Sequence, residues 1–405
     1  MAEGCKKVVA SGARTLVLMR EERCFGIENA EVADETVNLG TWKETIITSE
    51  SLVNDIGTLT SNALNPERAV KRRVQGVSNP GGDLNIELAN NGYGYMITQA
   101  VGKIVGTGIV GDPYTIIPVD ANGVNSDDTA GYKQDSALYN DMEINYDVTA
   151  SDASDSAGFE KGYYTVDPQG LEPGMDIMIS RDGGTIKDED GNSTTNPIWF
   201  LYTGSKVNSW TVTIAPDAIT VGTFTLLSRE ETYFAMATPS YTSRPEINDP
   251  FSGFNAAVEV DGVSSCILNL NFTLTNNLSE SQLCLGDKRR NSSPEGQRQI
   301  TGTFEVEFQD LTYYAKYVNG TSVTIVVDFD LLGDNTETMR IIFPKIEYEG
   351  TTPNAAGQDA INVPIPFTAL WDDSPADSIL TKGATLTTPN GFDIAIEIVT
   401  AGTLV

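Results

Sequence analysis

The stretch Ile300-Thr301-Gly302-Thr303-Phe304-Glu305-Val306-Glu307-Phe308 puts Ile300, Gly302, Phe304, Val306 and Phe308 on one face of an extended chain and Thr301, Thr303, Glu305 and Glu307 on the other. Strand side chains alternate with a period of two, so this reads as a strand buried on one side only. The same alternation runs outward from it. Cys266, Leu268, Leu270, Phe272 and Leu274 alternate with Ile267, Asn269, Asn271, Thr273 and Thr275, and Trp210, Val212 and Ile214 alternate with Thr211 and Thr213. Leu84–Leu88, Ile325–Asp330 and Ile394–Ile398 repeat the pattern, with Gly, Asn and Asp between the runs. The expected fold is mainly β, built of antiparallel sheet with one solvated face. Helical signals are few. Asp310–Gly320 has Asp310 to N-cap, Leu311, Tyr314 and Val318 on one face, and Gly320 to close the end. A second candidate lies near Tyr93–Lys103, and Asn65-Pro66-Glu67-Arg68 resembles a helix start.

An internal repeat underlies the pattern. Gly82-Asp83-Leu84-Asn85-Ile86-Glu87-Leu88 matches Gly302-Thr303-Phe304-Glu305-Val306-Glu307-Phe308, and each is followed by a Tyr-containing helix candidate. Asp217-Ala218-Ile219-Thr220-Val221 matches Asp359-Ala360-Ile361-Asn362-Val363, each preceded by a Lys-hydrophobic pair, Lys206-Val207 and Lys345-Ile346. The first pair lies 220 residues apart and the second 142, so the first half holds 78 more residues between its landmarks. Residues 106–196 account for them, with 18 Asp and Glu against 4 Lys and Arg and a composition of surface loops and short strands. The expected organisation is a first fold from 1–105 and 197–240, an acidic surface insertion at 106–196, and a second fold from 241–405.

Composition narrows the function. The 405 residues carry 56 Asp and Glu against 26 Lys and Arg, a net charge of −30, and such a surface repels phosphate backbones and anionic lipid. Histidine is absent, which removes His bases, His triads and His-containing zinc sites. Cys5, Cys24, Cys266 and Cys284 stand apart with no CxxC, and are read as isolated thiols. Asp188-Glu189-Asp190-Gly191-Asn192-Ser193-Thr194 opens like a calcium loop, but has Gly at the fourth position and Trp199 where the closing Glu belongs, so it reads as an acidic turn. No catalytic, metal or cofactor-binding set is expected, and the chain is read as a non-enzyme. The N-terminal apolar run Thr15–Met19 is too short for a secretion signal, and no segment approaches the roughly 20 apolar residues of a membrane span. Synthesis and assembly in a reducing cytoplasm are expected. The scarce basic residues cluster just before each repeated glycine strand: Arg68, Lys71, Arg72 and Arg73 in the first half, Lys288, Arg289, Arg290 and Arg298 in the second. Basic loops on an acidic body suit contact with another copy's acidic surface.

Glu22-Arg23-Cys24-Phe25-Gly26, then Glu50-Ser51 before a long polar loop containing Arg68, then Gly82-x-Leu84-x-x-Glu87-Leu88 and a short helix, resembles the tail tube proteins of long-tailed bacteriophages. Tyr202-Thr203-Gly204-Ser205-Lys206-Val207-Asn208-Ser209-Trp210 and the Gly302–Gly320 strand and helix resemble the same family, whereas 106–196 departs from it. The resemblance implies a β-sandwich with a flanking helix, sheets joined side by side into a ring whose inner wall is a β-barrel, and rings stacked into a tube that conducts phage DNA without binding it. Two such folds per chain would close a trimeric ring with pseudo-six-fold symmetry; a hexamer is the fallback if the repeat is illusory. Other partners implied are the tape measure, terminator and tail tip proteins, in the virion tail. Expected lumen-facing positions are Asn85, Glu87, Asn269, Asn271, Thr273, Glu305 and Glu307, on the strands Gly82–Leu88, Ser265–Thr275 and Ile300–Phe308. Expected ring-to-ring contacts are Arg68, Lys71, Arg72, Arg73, Lys288, Arg289 and Arg290. The competing reading is a secreted carbohydrate-binding β-sandwich whose acidic insertion holds calcium, with Tyr132, Tyr139, Tyr163 and Tyr164 as aromatic contacts.

Overall fold

The computed structural model describes residues 15–22, 42–60, 72–89, 92–102, 104–108, 160–165, 174–181, 196–242, 249–280, 282–331, 338–350, 353, 361–374 and 392–400. The N-terminal half contains β1 (Leu16–Glu21), β2 (Trp42–Thr45), β3 (Ser49–Glu50), β4 (Val53–Thr60), β5 (Arg73–Glu87), α1 (Gly94–Val101), β6 (Ile104–Gly108), β7 (Glu160–Thr165), β8 (Met175–Ser180), β9 (Ile198–Ile214), β10 (Val221–Leu227) and β11 (Glu230–Ala235). A short β12 (Tyr241–Thr242) leads to the C-terminal half. There follow β13 (Ala256–Val260), β14 (Val263–Ser265), β15 (Asn269–Thr275), β16 (Gln299–Glu307), α2 (Thr312–Asn319), β17 (Val323–Asp330), β18 (Thr338–Tyr348), β19 (Asn362–Ala369) and β20 (Ala395–Thr400).

The protein is mainly β, and its strand pairings are antiparallel apart from the two-residue contact of β12 with β2. In the first half an inner layer runs β4/β3–β5–β10–β9, and in the second an inner layer runs β15–β16–β19–β18. β9 pairs with β15 and joins the two into one sheet. The outer layers follow a shared order too: β2–β1–β8–β9 with β11 beyond, and β14–β13–β17–β18 with β20 beyond. β9 and β18 are long enough to pass from outer to inner layer. The β6–β7 hairpin leaves the first half and pairs through β7 with β20 of the second.

One apolar core fills the space between the layers and runs through both halves. Trp210 of β9 stacks on Phe224 at 5.5 Å and meets Phe272 edge-on at 5.5 Å; Phe272 meets Phe343, which meets Phe367 and, through it, Phe304. Each such ring pair contributes about 0.5–1.5 kcal/mol beyond area burial. The outer layers also hold charge: Arg20 lies over Trp42 and pairs at 2.7 Å with fully buried Asp176, and Arg340 lies between Asp328 and Glu397. Removing one partner would strand a buried ion, at a cost of about 3–5 kcal/mol.

Several boundaries differ from the sequence reading. The strand expected over Ser265–Thr275 is two: Ser265 ends β14, the chain breaks past exposed Cys266, and β15 starts at Asn269. Leu311 holds the N-cap position of α2; the Asp310 carboxylate accepts the Thr312 N–H at 2.7 Å, a local turn that precedes the helix. Gly320 closes α2 in the left-handed conformation, as its position suggested. Val221 and Val363, matched by sequence, differ in exposure at 46% and 7%; the ladders pair Glu87 with Val221 but Glu307 with Asn362, one residue away from the sequence alignment. β8 lies inside the segment expected to be surface, yet every residue of it is buried, because it runs mid-sheet between β1 and β9. The Asn65–Arg68 helix start, Cys5, Cys24, Tyr132, Tyr139 and the Asp188–Thr194 loop lie outside the described residues. Cys266 and Cys284 are free and exposed thiols.

Candidate functional site

The joined inner layers present one polar face. Ladder registers place Ser49, Asn85, Thr223, Thr211, Thr273, Thr301 and Thr368 directly opposite one another on successive strands, a row of uncharged hydroxyl and amide groups from β3 to β19 that ends on β18 at Glu347, the partner of Thr368. Parts of the row are hydrogen-bonded: Asn85 Nδ2 donates to Ser49 Oγ at 2.9 Å, Thr223 Oγ1 to Asn85 Oδ1 at 2.7 Å, and Thr211 and Thr273 share a bond at 3.0 Å, while Thr368 donates to Glu349 at 2.6 Å. Each cross-strand pair contributes about 0.2–1 kcal/mol. Carboxylates lie to either side, with Asp83 accepting from Thr225 at 2.8 Å and Glu305 accepting from Asn269 at 2.8 Å. All seven positions expected to face a lumen, Asn85, Glu87, Asn269, Asn271, Thr273, Glu305 and Glu307, are on this face and outside the core. The alternating Leu84, Ile86, Leu270, Phe272, Leu274, Phe304 and Val306 are buried behind them. The sequence reading missed Thr223, Thr225 and Thr368, although the alternation around Trp210 signalled Thr211 and Thr213.

The basic residues separate. Arg68 and Lys71 lie outside the described residues. Arg72 and Arg73 are exposed at the start of β5, where Arg73 donates to Thr58 Oγ1 at 3.0 Å. Lys288 is exposed, and its carbonyl accepts the Ser78 N–H at 3.0 Å. Arg289 pairs with Glu230 at 2.8 Å and Asp287 at 3.2 Å; these partners raise its pKa, and its N–H groups hold the Asp287 carboxyl below the usual range. Arg290 overturns its expected role as a surface contact. It is 2% exposed, its Nη1 donates to the Ser228 carbonyl at 2.8 Å, and burial pushes its pKa down against the pull of Glu280. Its own carbonyl accepts from Arg229 Nε at 3.0 Å, so Arg290 ties the loop before β16 to the first half.

A second set of contacts joins the halves at α1, all of whose residues are buried. Asn276 Nδ2 donates at 3.0 Å to both the Ala100 and Val207 carbonyls. Arg298 donates at 2.6 Å to the Val101 carbonyl and at 3.0 Å to Asp393, placing a cation at the negative end of the helix. Lys206 pairs with Glu295 at 2.6 Å. Sequence counted Arg298 with the basic cluster and gave no sign of Asn276.

Among the described residues no group of three or more Asp, Glu, Cys or His is placed to hold a metal, and no helix is long and apolar enough to cross a membrane, which says nothing of strands. Layered antiparallel sheet with one polar face defines a mainly β-protein. Residues 12–369 match the phage tail tube protein family, and the chain belongs to that family, a structural component of the phage tail. The comparison with curated proteins gives no match.

Proposed function

We propose that copies of the chain join edge to edge into rings that stack into the tail tube, with the Ser49–Thr368 face lining the channel. The observation that carries this is the inner sheet of eight strand positions, β3 and β4 sharing one, in which one four-position order occurs twice and β9–β15 pairing joins the two sets. Each set stands for one tube fold, with β8 counted to the first, so three chains make a ring of pseudo-six-fold symmetry. A barrel leaves no unpaired strand edge once closed. From β3 to β19 the hydroxyl row gives passing DNA a neutral track, and Glu347 at its end with Glu87, Glu305 and Glu307 on the same face repel phosphate, so the duplex slides without being held. Arg72, Arg73, Lys288 and Arg289, with Arg68 and Lys71, contact the acidic surface of the next ring. The tube assembles in the host cytoplasm and meets the tape measure, terminator and tail tip proteins.

Negative-stain electron microscopy with light scattering on the purified protein tests this. Hollow tubes with three chains per ring are expected; six chains per ring would overturn the two-fold-per-chain reading, and a permanent monomer would overturn the tube reading. Arg72→Glu with Arg73→Glu is expected to leave rings that do not stack, and tubes of normal length would remove these residues from the ring-to-ring contact.

A further inference from the structure

We propose that the exposed face of α2 is the seat of a second copy's β4–β5 arm, with Ile56 of that copy against Val318. The proposal rests on the tube reading. The junction between the two halves of one chain supplies the template for the junction between chains.

α1 and α2 hold matching places. Each follows a strand with a glycine five residues before its end, Gly82 or Gly302; each has a tyrosine at its second residue, Tyr95 or Tyr313; each is capped by a glycine, Gly102 or Gly320. Ala100 and Val101 therefore correspond to Val318 and Asn319. α1 packs on β9, β7 and β1, and its last carbonyls, those of Ala100 and Val101, are bound by Asn276 and Arg298, next to each other at the end of the β15–β16 ladder. Arg298 stands four residues before Gly302. Four residues before Gly82 stands Ser78, and its ladder partner is Ile56. A next chain docked as the second half docks on the first would thus bring Ile56 and Ser78 to the end of α2.

The chemistry of the two surfaces fits. No residue of α2 is buried, and Leu311, Tyr317 and Val318 expose apolar side chains, Val318 by 61%. The β4–β5 arm exposes Val53, Ile56, Leu59 and Val74, Ile56 by 41%. Neither patch is covered among the described residues, and water contact over such apolar area is what association removes. The strand beneath is open as well: the pairing of β18 with β17 stops at Ile346, and beyond it Glu347 and Tyr348 pair only with β19 among the described residues. The matching stretch of β9 is the one that pairs with β15. The internal junction is polar where this one is apolar, so the two are distinguishable by substitution.

The test places cysteines at Val318 and Ile56 in a chain whose Cys5, Cys24, Cys266 and Cys284 are replaced by serine, and treats assembled protein with a short bis-maleimide. Covalent oligomers are expected from the double variant and from neither single variant, ending at the number of chains in a ring. Val318→Asp is expected to raise the concentration at which assembly begins at least about tenfold, with an unchanged circular dichroism spectrum, because a carboxylate would be buried against Ile56. Normal tubes without cross-links and with Val318→Asp assembling like the parent would overturn the seat and leave the tube reading standing. A parent protein that never assembles would overturn both.

Discussion

α1 and α2 sit at matching points of the two halves, yet every residue of α1 is buried and none of α2 is. Part of the difference is written in the residues. α1 carries Met96, Ile97, Ala100 and Val101 on one face and buries the uncharged Thr98 and Gln99 as well, whereas α2 carries Lys316, paired with Asp261, and Asn319. The larger part is context. α1 packs on three strands, β9, β7 and β1, and has its last carbonyls bound by Asn276 and Arg298, whereas α2 lies against β18 among the described residues. The contrast teaches that two helices at matching points take their exposure from the strands packed around them as much as from their own residues.

The contrast is broken most severely by Met96→Asp, which places an unpaired charge in the core; we expect a loss of more than about 4 kcal/mol and aggregation on expression, while Val318→Asp in α2 leaves the melting temperature unchanged. The paired glycines come next. A Cβ on Gly82 would lie 2.4 Å from the Ser51 carbonyl and one on Gly302 2.6 Å from the Asn271 carbonyl and 2.3 Å from Phe367. Each alanine substitution is expected to cost about 1–3 kcal/mol by thermal denaturation. Gly82→Ala is the costlier, since its φ of 146° adds backbone strain. Arg298→Ala should cost about 2 kcal/mol by leaving Asp393 and the Val101 carbonyl without their cation, and should speed amide exchange in α1 but not in α2. Thr211→Val with Thr273→Val removes one bond of the polar row, and should change stability by less than about 1 kcal/mol in calorimetry while leaving assembly intact. The smallest effect is one of pH. Hydrogen bonds from Thr312 lower the Asp310 pKa in the folded chain, so its contribution is present above the ordinary carboxylate range and is lost as pH falls through the lowered value. Asp310→Asn should flatten the acid limb of α2 helicity, measured by circular dichroism, and leave α1 untouched.

The half-solvated strands were legible because alternation is the direct imprint of a sheet with one wet face: Ile300, Phe304 and Val306 went into the core, and Glu305 and Glu307 stayed out of it, as the letters said. β8 was not legible for the opposite reason. Met-Asp-Ile-Met-Ile-Ser is covered on both faces, shows no alternation, and sits in a segment whose average is strongly acidic. The Val221–Val363 match failed because a one-residue slip moves a side chain to the other face, so equal residues in related strands need not share an environment. Arg290 read as a surface cation because nothing local distinguishes it from Lys288 and Arg289; its burial depends on Ser228, far off in sequence and reachable only through the tertiary fold. The same limit hid the contacts of Asn276 and Arg298 with α1.

The pairing of β7 with β20 sets Thr165 opposite Ala395, and this has a consequence for synthesis in time. A ribosome adding about 5–20 residues per second releases β6 and β7 roughly ten to fifty seconds before β20 can reach them. A lone two-stranded hairpin is marginal in water, so through that interval the first half holds an unsatisfied strand edge of its own. Closure across so much chain is slow because its entropy must be lost before any contact repays it. Completion of the second outer layer is thereby tied to the synthesis of β20, so the two halves mature together rather than one after the other.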